Sequence, residues 1–175
     1  MKRAIFAGGC FWCTEAVFNR LKGVENVKSG YTGGFIKNPA YREVCQGRTG
    51  HTEGIRLDYD ETLISYAELL EVFFATHDPT TLNRQANDVG TQYRSSIFYT
   101  DDEQFETARK FMKALNDSNI FEDPIVTELM PLEVFYDAED DHDSYYDLNR
   151  EKPYCTYLID PKIKKLTTYF NTILK

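Results

Sequence analysis

The sequence predicts an α+β fold, a two-layer sandwich with helices over one face of a mostly antiparallel sheet. Three observations carry this. Short stretches alternate apolar and polar residues, Ile55, Leu57 and Tyr59 being the clearest, and mark strands. Two boxes with a hydroxyl residue three positions before a glutamate, Ser65 to Glu68 and Thr100 to Glu103, open segments with apolar residues at helical spacing. The resulting order, β-α-β-β-α-β followed by a further helix and strand, is that of a split βαβ, ferredoxin-like plait.

In chain order, Arg3 to Ala7 reads as a first apolar strand, broken by Gly8-Gly9. From Trp12 to Lys22 the residues Thr14, Val17, Phe18 and Leu21 recur at helical spacing, and Gly23 supplies a C-terminal cap. Val24 to Tyr31 reads as a strand, and Gly33-Gly34, Asn38-Pro39 and Gly47 to Gly50 mark a long loop. After the Ile55 strand, Tyr66, Leu69, Leu70 and Phe73 share one helical face. The polar stretch from His77 to Gln92 is long for a loop without structure, and such loops are usually functional. Arg94 to Tyr99 reads as a strand, and Phe105, Ala108, Met112 and Leu115 stripe the helix behind Thr100. Ile125 to Phe135 is extended, with Pro131 pointing to an edge or a bulge. Asp160-Pro161 reads as an N-cap and first-turn proline, with Ile163, Leu166, Phe170 and Ile173 on one stripe behind it. No repeat or linker divides the chain, so a single domain over 1–175 is expected.

A formal net charge of −8 would repel a phosphate backbone, which argues against a nucleic-acid partner. No apolar run approaches the roughly 18 residues a membrane span needs. The basic start MKRAIFAGGC imitates a signal peptide, but its apolar run AIFA is shorter than the ~7 residues of a signal core, so a cytoplasmic protein is expected. The four cysteines, Cys10, Cys13, Cys45 and Cys155, are unevenly spread, which in a reducing compartment points to redox chemistry or metal binding rather than to structural disulfides.

Cys10 and Cys13 bracket Phe11 and Trp12 in GCFWCTE. Cys10 falls where a strand gives way to a helix, and free N–H groups there favour an anion, hence a reactive thiolate. Cys13, one turn along, is placed to attack an oxidised Cys10. No second C-x-x-C or spaced histidine pair completes a zinc site. Cys45 carries no sign of activation.

Beyond this pair, the chain resembles peptide methionine sulfoxide reductase of the A type. The blocks that carry the resemblance are GCFWCTE at 9–15, SGYTGG at 29–34, NPAYREVCQGRTGHTEG at 38–54, HDPTTLNRQANDVGTQYRS at 77–95 and FYDAEDDH at 135–142. The resemblance implies that Cys10 attacks the sulfoxide sulfur and becomes a sulfenic acid, which condenses readily with a neighbouring thiol. It implies that Phe11 and Trp12 wall the substrate methyl group, that Glu53 is the proton donor, that Tyr41 and Tyr93 bind the oxygen, and that Asp88 binds substrate. It also implies action on the S epimer, in proteins and as the free amino acid. Thioredoxin is the implied reductant, and no metal or organic cofactor is implied. The better-known members end in a Gly-rich segment with recycling cysteines, whereas PYCTYLIDPKIKKL at 153–166 reads as a helix, so Cys13 and Cys155 are both candidates for the resolving thiol.

His51 and His77 read as structural hydrogen-bonding residues. His142, within DAEDDHD, reads as part of a solvated acidic segment, since no loop spacing for a hard cation surrounds it. Two other functions fit a C-x-x-C at a helix start: a thioredoxin-like thiol–disulfide oxidoreductase, and a non-enzymatic redox-sensing or metal-binding module. For neither would Tyr41, Glu53 and Tyr93 have a role.

Overall fold

The structure, a computed structural model, describes all residues from 1 to 175. Its centre is a six-stranded sheet. β1 (Lys2–Ala7) pairs antiparallel on one side with β3 (Thr52–Tyr59) and on the other with β6 (Ser96–Tyr99). β2 (Val24–Thr32) extends the sheet beyond β3, and β8 (Phe135–Asp137) closes that edge, both antiparallel. β7 (Glu128–Pro131) forms the opposite edge and runs parallel to β6, giving the order β7-β6-β1-β3-β2-β8. The architecture is therefore α+β with a mixed sheet. The parallel pair arises because α4 (Asp102–Asp117) carries the chain from β6 back to β7 as a crossover. Pro131 lies on this edge, as its missing N–H requires.

Alternation along β1 assigns its two faces. Ala4 and Phe6 join the main core, whereas Ile5 and Ala7 join a small cluster with Phe98 on the other side. α1 (Phe11–Phe18), α3 (Tyr66–Thr76), α4 and α6 (Asp160–Tyr169) all contribute to the main core. Phe6 is its pivot, stacked on Phe18 at 5.2 Å and on Phe73 at 5.0 Å.

Several local expectations need correction. α1 stops at Phe18, short of Lys22; Leu21 instead bridges to Leu174 near the C-terminus. The loop from 33 to 51 contains a short helix, α2 (Tyr41–Cys45). The polar stretch from 77 to 92 contains a two-stranded ribbon of β4 (Arg84–Gln85) and β5 (Asp88–Val89), then a 3-10 turn at Thr91–Tyr93. The box opening α4 is shifted by one: Asp101 accepts from Gln104 N at 2.8 Å, and Gln104 accepts from Thr100 N at 2.9 Å. Gln104 also donates to Arg3 O, which fixes that register.

Asp160 is not an N-cap. One π-helical turn, Cys155–Ile159, runs directly into α6, and the Asp160 carboxylate instead accepts the Tyr146 hydroxyl. Pro161 cannot donate within a helix, and the wide turn before it accommodates that loss. Ahead of this turn, α5 (Tyr145–Leu148) is tied to α1, because buried Glu15 accepts from Ser144 N at 2.6 Å and from Ser29 Oγ at 3.0 Å. The tail is thereby folded against α1.

Ser65 forms the expected box: its hydroxyl accepts from Glu68 N at 3.1 Å, while Glu68 accepts from Ser65 N at 3.1 Å. Ser65→Ala is expected to cost about 1 kcal/mol of stability, read as a lower melting temperature.

Candidate active site

β1 ends at Ala7, and Gly9 turns the chain with φ of 88°, a conformation that disfavours other residues. A Cβ there would also lie 2.6 Å from the Gln85 side chain. Cys10 follows as the N-cap of α1, where the sequence places it. The free N–H of the first turn, however, does not point at its sulfur. Phe11 N donates at 3.1 Å to Glu53 Oε1. Glu53 faces it from β3, so the carboxyl group, rather than the thiol, takes the anion position at the helix start.

Glu53 is 1% exposed, and its Oε2 is buried without any hydrogen-bond partner. Burial pushes its acidity to a pKa of about 8, with the nearby charges of Asp88 and Cys13 adding to the rise. At neutral pH Glu53 is a protonated acid with one oxygen unengaged. Thr52 fixes the strand start beside it, donating to Gln92 O at 3.0 Å, and this brings the Tyr93 turn alongside. Tyr41, on α2, approaches from the other side with its ring 6.2 Å from Phe11. Gln92 links the two tyrosine-bearing segments by donating to Cys45 O at 3.1 Å. Burial and the Glu53 charge raise both phenols, which stay neutral donors.

Cys10 and Cys13 are 7% and 5% exposed. Burial raises the Cys10 thiol well above its ordinary value, and hydrogen bonding to Cys13 and the charge of Glu53 add to this. Cys13, stabilised by the hydrogen bond from Cys10, is pulled down to about 7. In this closed site burial opposes the helix-start effect on the Cys10 thiol, and the ionisations of the two neighbouring thiols are linked. Both pack in one cluster with Ala16, Tyr146, Ile159 and Cys155, which is 0% exposed. All four cysteines are free thiols.

Phe11 is fully buried and belongs to the core. Trp12 is only partly buried, and it stacks on Tyr145 with centroids 3.7 Å apart and planes at 8°. Its indole N–H donates to His142 Nδ1 at 3.1 Å. His142 is therefore not in a solvated segment. It is buried, with its ring 4.5 Å from Tyr41 and 5.1 Å from Phe11. Glu139 accepts from the Tyr31 hydroxyl at 2.9 Å and from Tyr41 N at 3.0 Å, which turns the acidic segment inward. Asp88 accepts from the Tyr154 hydroxyl at 2.8 Å, and the same hydroxyl lies 3.8 Å from Cys13 Sγ. His51 and His77 are structural: His51 Nδ1 accepts from Gly34 N at 3.0 Å, and His77 Nε2 lies 2.8 Å from Ser95 Oγ. No three His, Cys, Asp or Glu side chains converge as metal ligands.

A buried thiol pair facing a neutral buried acid, with two phenols beside it, suits oxygen removal from a small polar group next to an apolar wall. The model of the family described as peptide methionine sulfoxide reductase matches residues 2–173. The chain belongs to this family. Two curated relatives carry the name peptide methionine sulfoxide reductase MsrA. The one from Deinococcus radiodurans is 53% identical over 174 residues, 99% of this chain and 84% of its own length. The one from Acinetobacter baumannii is 51% identical over 175 residues, 100% of this chain and 99% of its own length. Among solved structures, methionine sulfoxide reductase A of Corynebacterium diphtheriae superposes with a TM-score of 0.81 at 36% identity, covering 85% of this chain and 75% of that one. In this peptide methionine sulfoxide reductase, the residues beside the site that sequence reasoning missed come from the tail or its approach: His142, Tyr145 and Tyr154. A tyrosine in a C-terminal helix carries no local signal. A signal did exist for His142, since it ends the matched block FYDAEDDH.

Proposed function

We propose that the chain reduces methionine-S-sulfoxide, in proteins and as the free amino acid, through a sulfenic acid on Cys10. Cys10 sulfur bonds to the sulfoxide sulfur as Glu53 gives its proton to the sulfoxide oxygen, and the Cys10 thiol proton restores Glu53. The hydroxyl then passes from the substrate sulfur to Cys10 as the bond between the two sulfurs breaks. Methionine leaves, and Cys10 holds the oxygen as a sulfenic acid. Tyr41 and Tyr93 donate to that oxygen as charge builds on it. Trp12 and the rim of the Phe11 pocket receive the methyl group, and Asp88 binds the substrate once Tyr154 releases it. A second thiol then attacks Cys10 and expels water, and thioredoxin reduces the disulfide. The observation that carries this reading is Glu53 Oε2, buried without a partner at the start of the helix that carries the cysteine pair, where burial favours the protonated acid.

The same reading takes 1–175 as one domain and strands β6-β1-β3-β2 as a split βαβ kernel to which β7 and β8 are added. Four free thiols suit a reducing compartment such as the cytoplasm. No helix is long and apolar enough to cross a membrane.

Methionine formation from peptidyl methionine sulfoxide with dithiothreitol tests the reading, and a thiol–disulfide oxidoreductase would give none. The resolving thiol is tested separately. Cys13→Ser is expected to release one equivalent of methionine and then to stall with thioredoxin, because closing the short Cys10–Cys13 loop costs little entropy. Mass spectrometry of the oxidised protein reads the pairing directly. A Cys10–Cys155 disulfide, with normal cycling by Cys13→Ser, would transfer the role to the tail.

A further inference from the structure

Lys162 lies in the first turn of α6, which packs against both α1 and α3. Its ammonium donates at 2.6 Å to the carbonyl of Thr76, the last residue of α3, a favourable place for a cation. Lys162 and Cys13 also line the same enclosed space, of about 10 Å³, with Gly8, Phe73 and His77. That volume is at the lower limit for one water molecule, so at most one fits between the two side chains there, while the outer side of Lys162 borders an open groove.

We propose that Lys162 is a positioning residue for the cysteine pair, its ammonium, anchored on Thr76 across a small shared cavity, favouring the thiolate form of Cys13. The inference rests on Cys10 and Cys13 being the redox centre, and it stands whichever thiol resolves. No other cation faces Cys13. His77 stays neutral, since burial pushes it down to about 3. Lys165 is exposed, and Tyr154 is a neutral hydroxyl bonded to Asp88. Glu53 and Asp88, when ionised, oppose a charge on Cys13. Cys155 is a buried thiol whose own ionisation burial disfavours. Burial also depresses Lys162 itself, while the charges on Cys13 and Cys10 act to keep it protonated, which is the reciprocal side of the same interaction.

The consequence is a division of labour. Cys10 waits as a protected thiol until substrate and the Glu53 proton arrive. Cys13, pulled down to about 7, is in part ionised at neutral pH when Cys10 becomes a sulfenic acid. Its thiolate can then form the S–S bond as the S–O bond breaks, with the oxygen leaving as water after taking a proton from solvent.

The test is a pH titration of the reduced protein, followed by ultraviolet thiolate absorbance and assigned to Cys13 by its loss in Cys13→Ser. In Lys162→Gln the Cys13 midpoint is expected to rise by about one pH unit or more, and in Lys162→Arg to stay near the wild-type value. A packing role alone would lower the melting temperature without moving the midpoint. An unchanged midpoint in Lys162→Gln overturns the proposal, as does an equal rise in Lys162→Arg. If Lys162→Gln does not fold, the carbon-13 shift of Lys162 Cε in the wild-type protein serves instead. It must step at the Cys13 midpoint and lose that step in Cys13→Ser; absence of the step is equally decisive against the inference. Neither readout needs substrate, so methionine formation measured alongside separates failure of this inference from failure of the reductase reading.

Discussion

Cys10→Ser is expected to fold normally and to form no methionine above the uncatalysed background. A serine hydroxyl stays protonated at this buried position, and oxygen on oxygen offers no counterpart of a sulfenic acid. The measurement is methionine released per protein in a single turnover with substrate in excess: one equivalent for Cys13→Ser, none for Cys10→Ser. Release of methionine by Cys10→Ser would move the nucleophile to another cysteine. The result does not depend on which sulfur is charged at rest. The Glu53 charge that raises the Cys10 thiol disappears once Glu53 is protonated. Alkylation is a poorer guide to the nucleophile, because both thiols are buried in the closed site, Cys10 being 7% exposed and Cys13 5%.

The surroundings of Cys10 show where the sequence was legible and where it was not. The strand with Ile55, Leu57 and Tyr59 and the Ser65 box were readable because their causes are local: alternation over one strand, and a cap within four residues. Cys10 at the start of α1 was readable for the same reason. What was not readable is who takes the helix N-terminus. Glu53 is 42 residues from Phe11, and only the antiparallel pairing of β1 with β3 brings it there. The parallel β6–β7 edge was hidden for a related reason, since Pro131 marks an edge but not its direction. The tail was misread at Asp160, where a local N-cap signal lost to a tertiary partner, Tyr146. His142 was misread because its acidic neighbours suggested solvent. Glu139, four residues past the extended run that ends at Phe135, instead bonds Tyr31 and Tyr41 and buries the segment. Long-range pairing, not local preference, assembled this half of the site.

Glu53→Gln is expected to slow the single-turnover release of methionine by about 10²- to 10⁴-fold, the usual contribution of a general acid. Glu53→Ala is expected to be slower still, because the amide can hydrogen-bond the sulfoxide oxygen while a methyl group cannot. The pH dependence separates proton donation from simple polarity. With its pKa near 8, Glu53 is protonated at neutral pH and ionises above it, so the wild-type rate should fall as pH rises through about 8. Glu53→Gln has no such proton to lose, and its residual rate should show no fall there. Stability follows with the opposite advantage. The folded state holds this proton more tightly than the unfolded chain does, so its contribution declines as pH rises from the ordinary carboxylate range toward 8. Above that, wild type carries a buried carboxylate whose Oε2 has no partner, and Glu53→Gln does not. The variant should therefore melt at a higher temperature than wild type at pH above about 8 while remaining the poorer enzyme. A wild-type rate that is flat through this range, or a variant that loses stability there in parallel with wild type, would remove Glu53 as the acid.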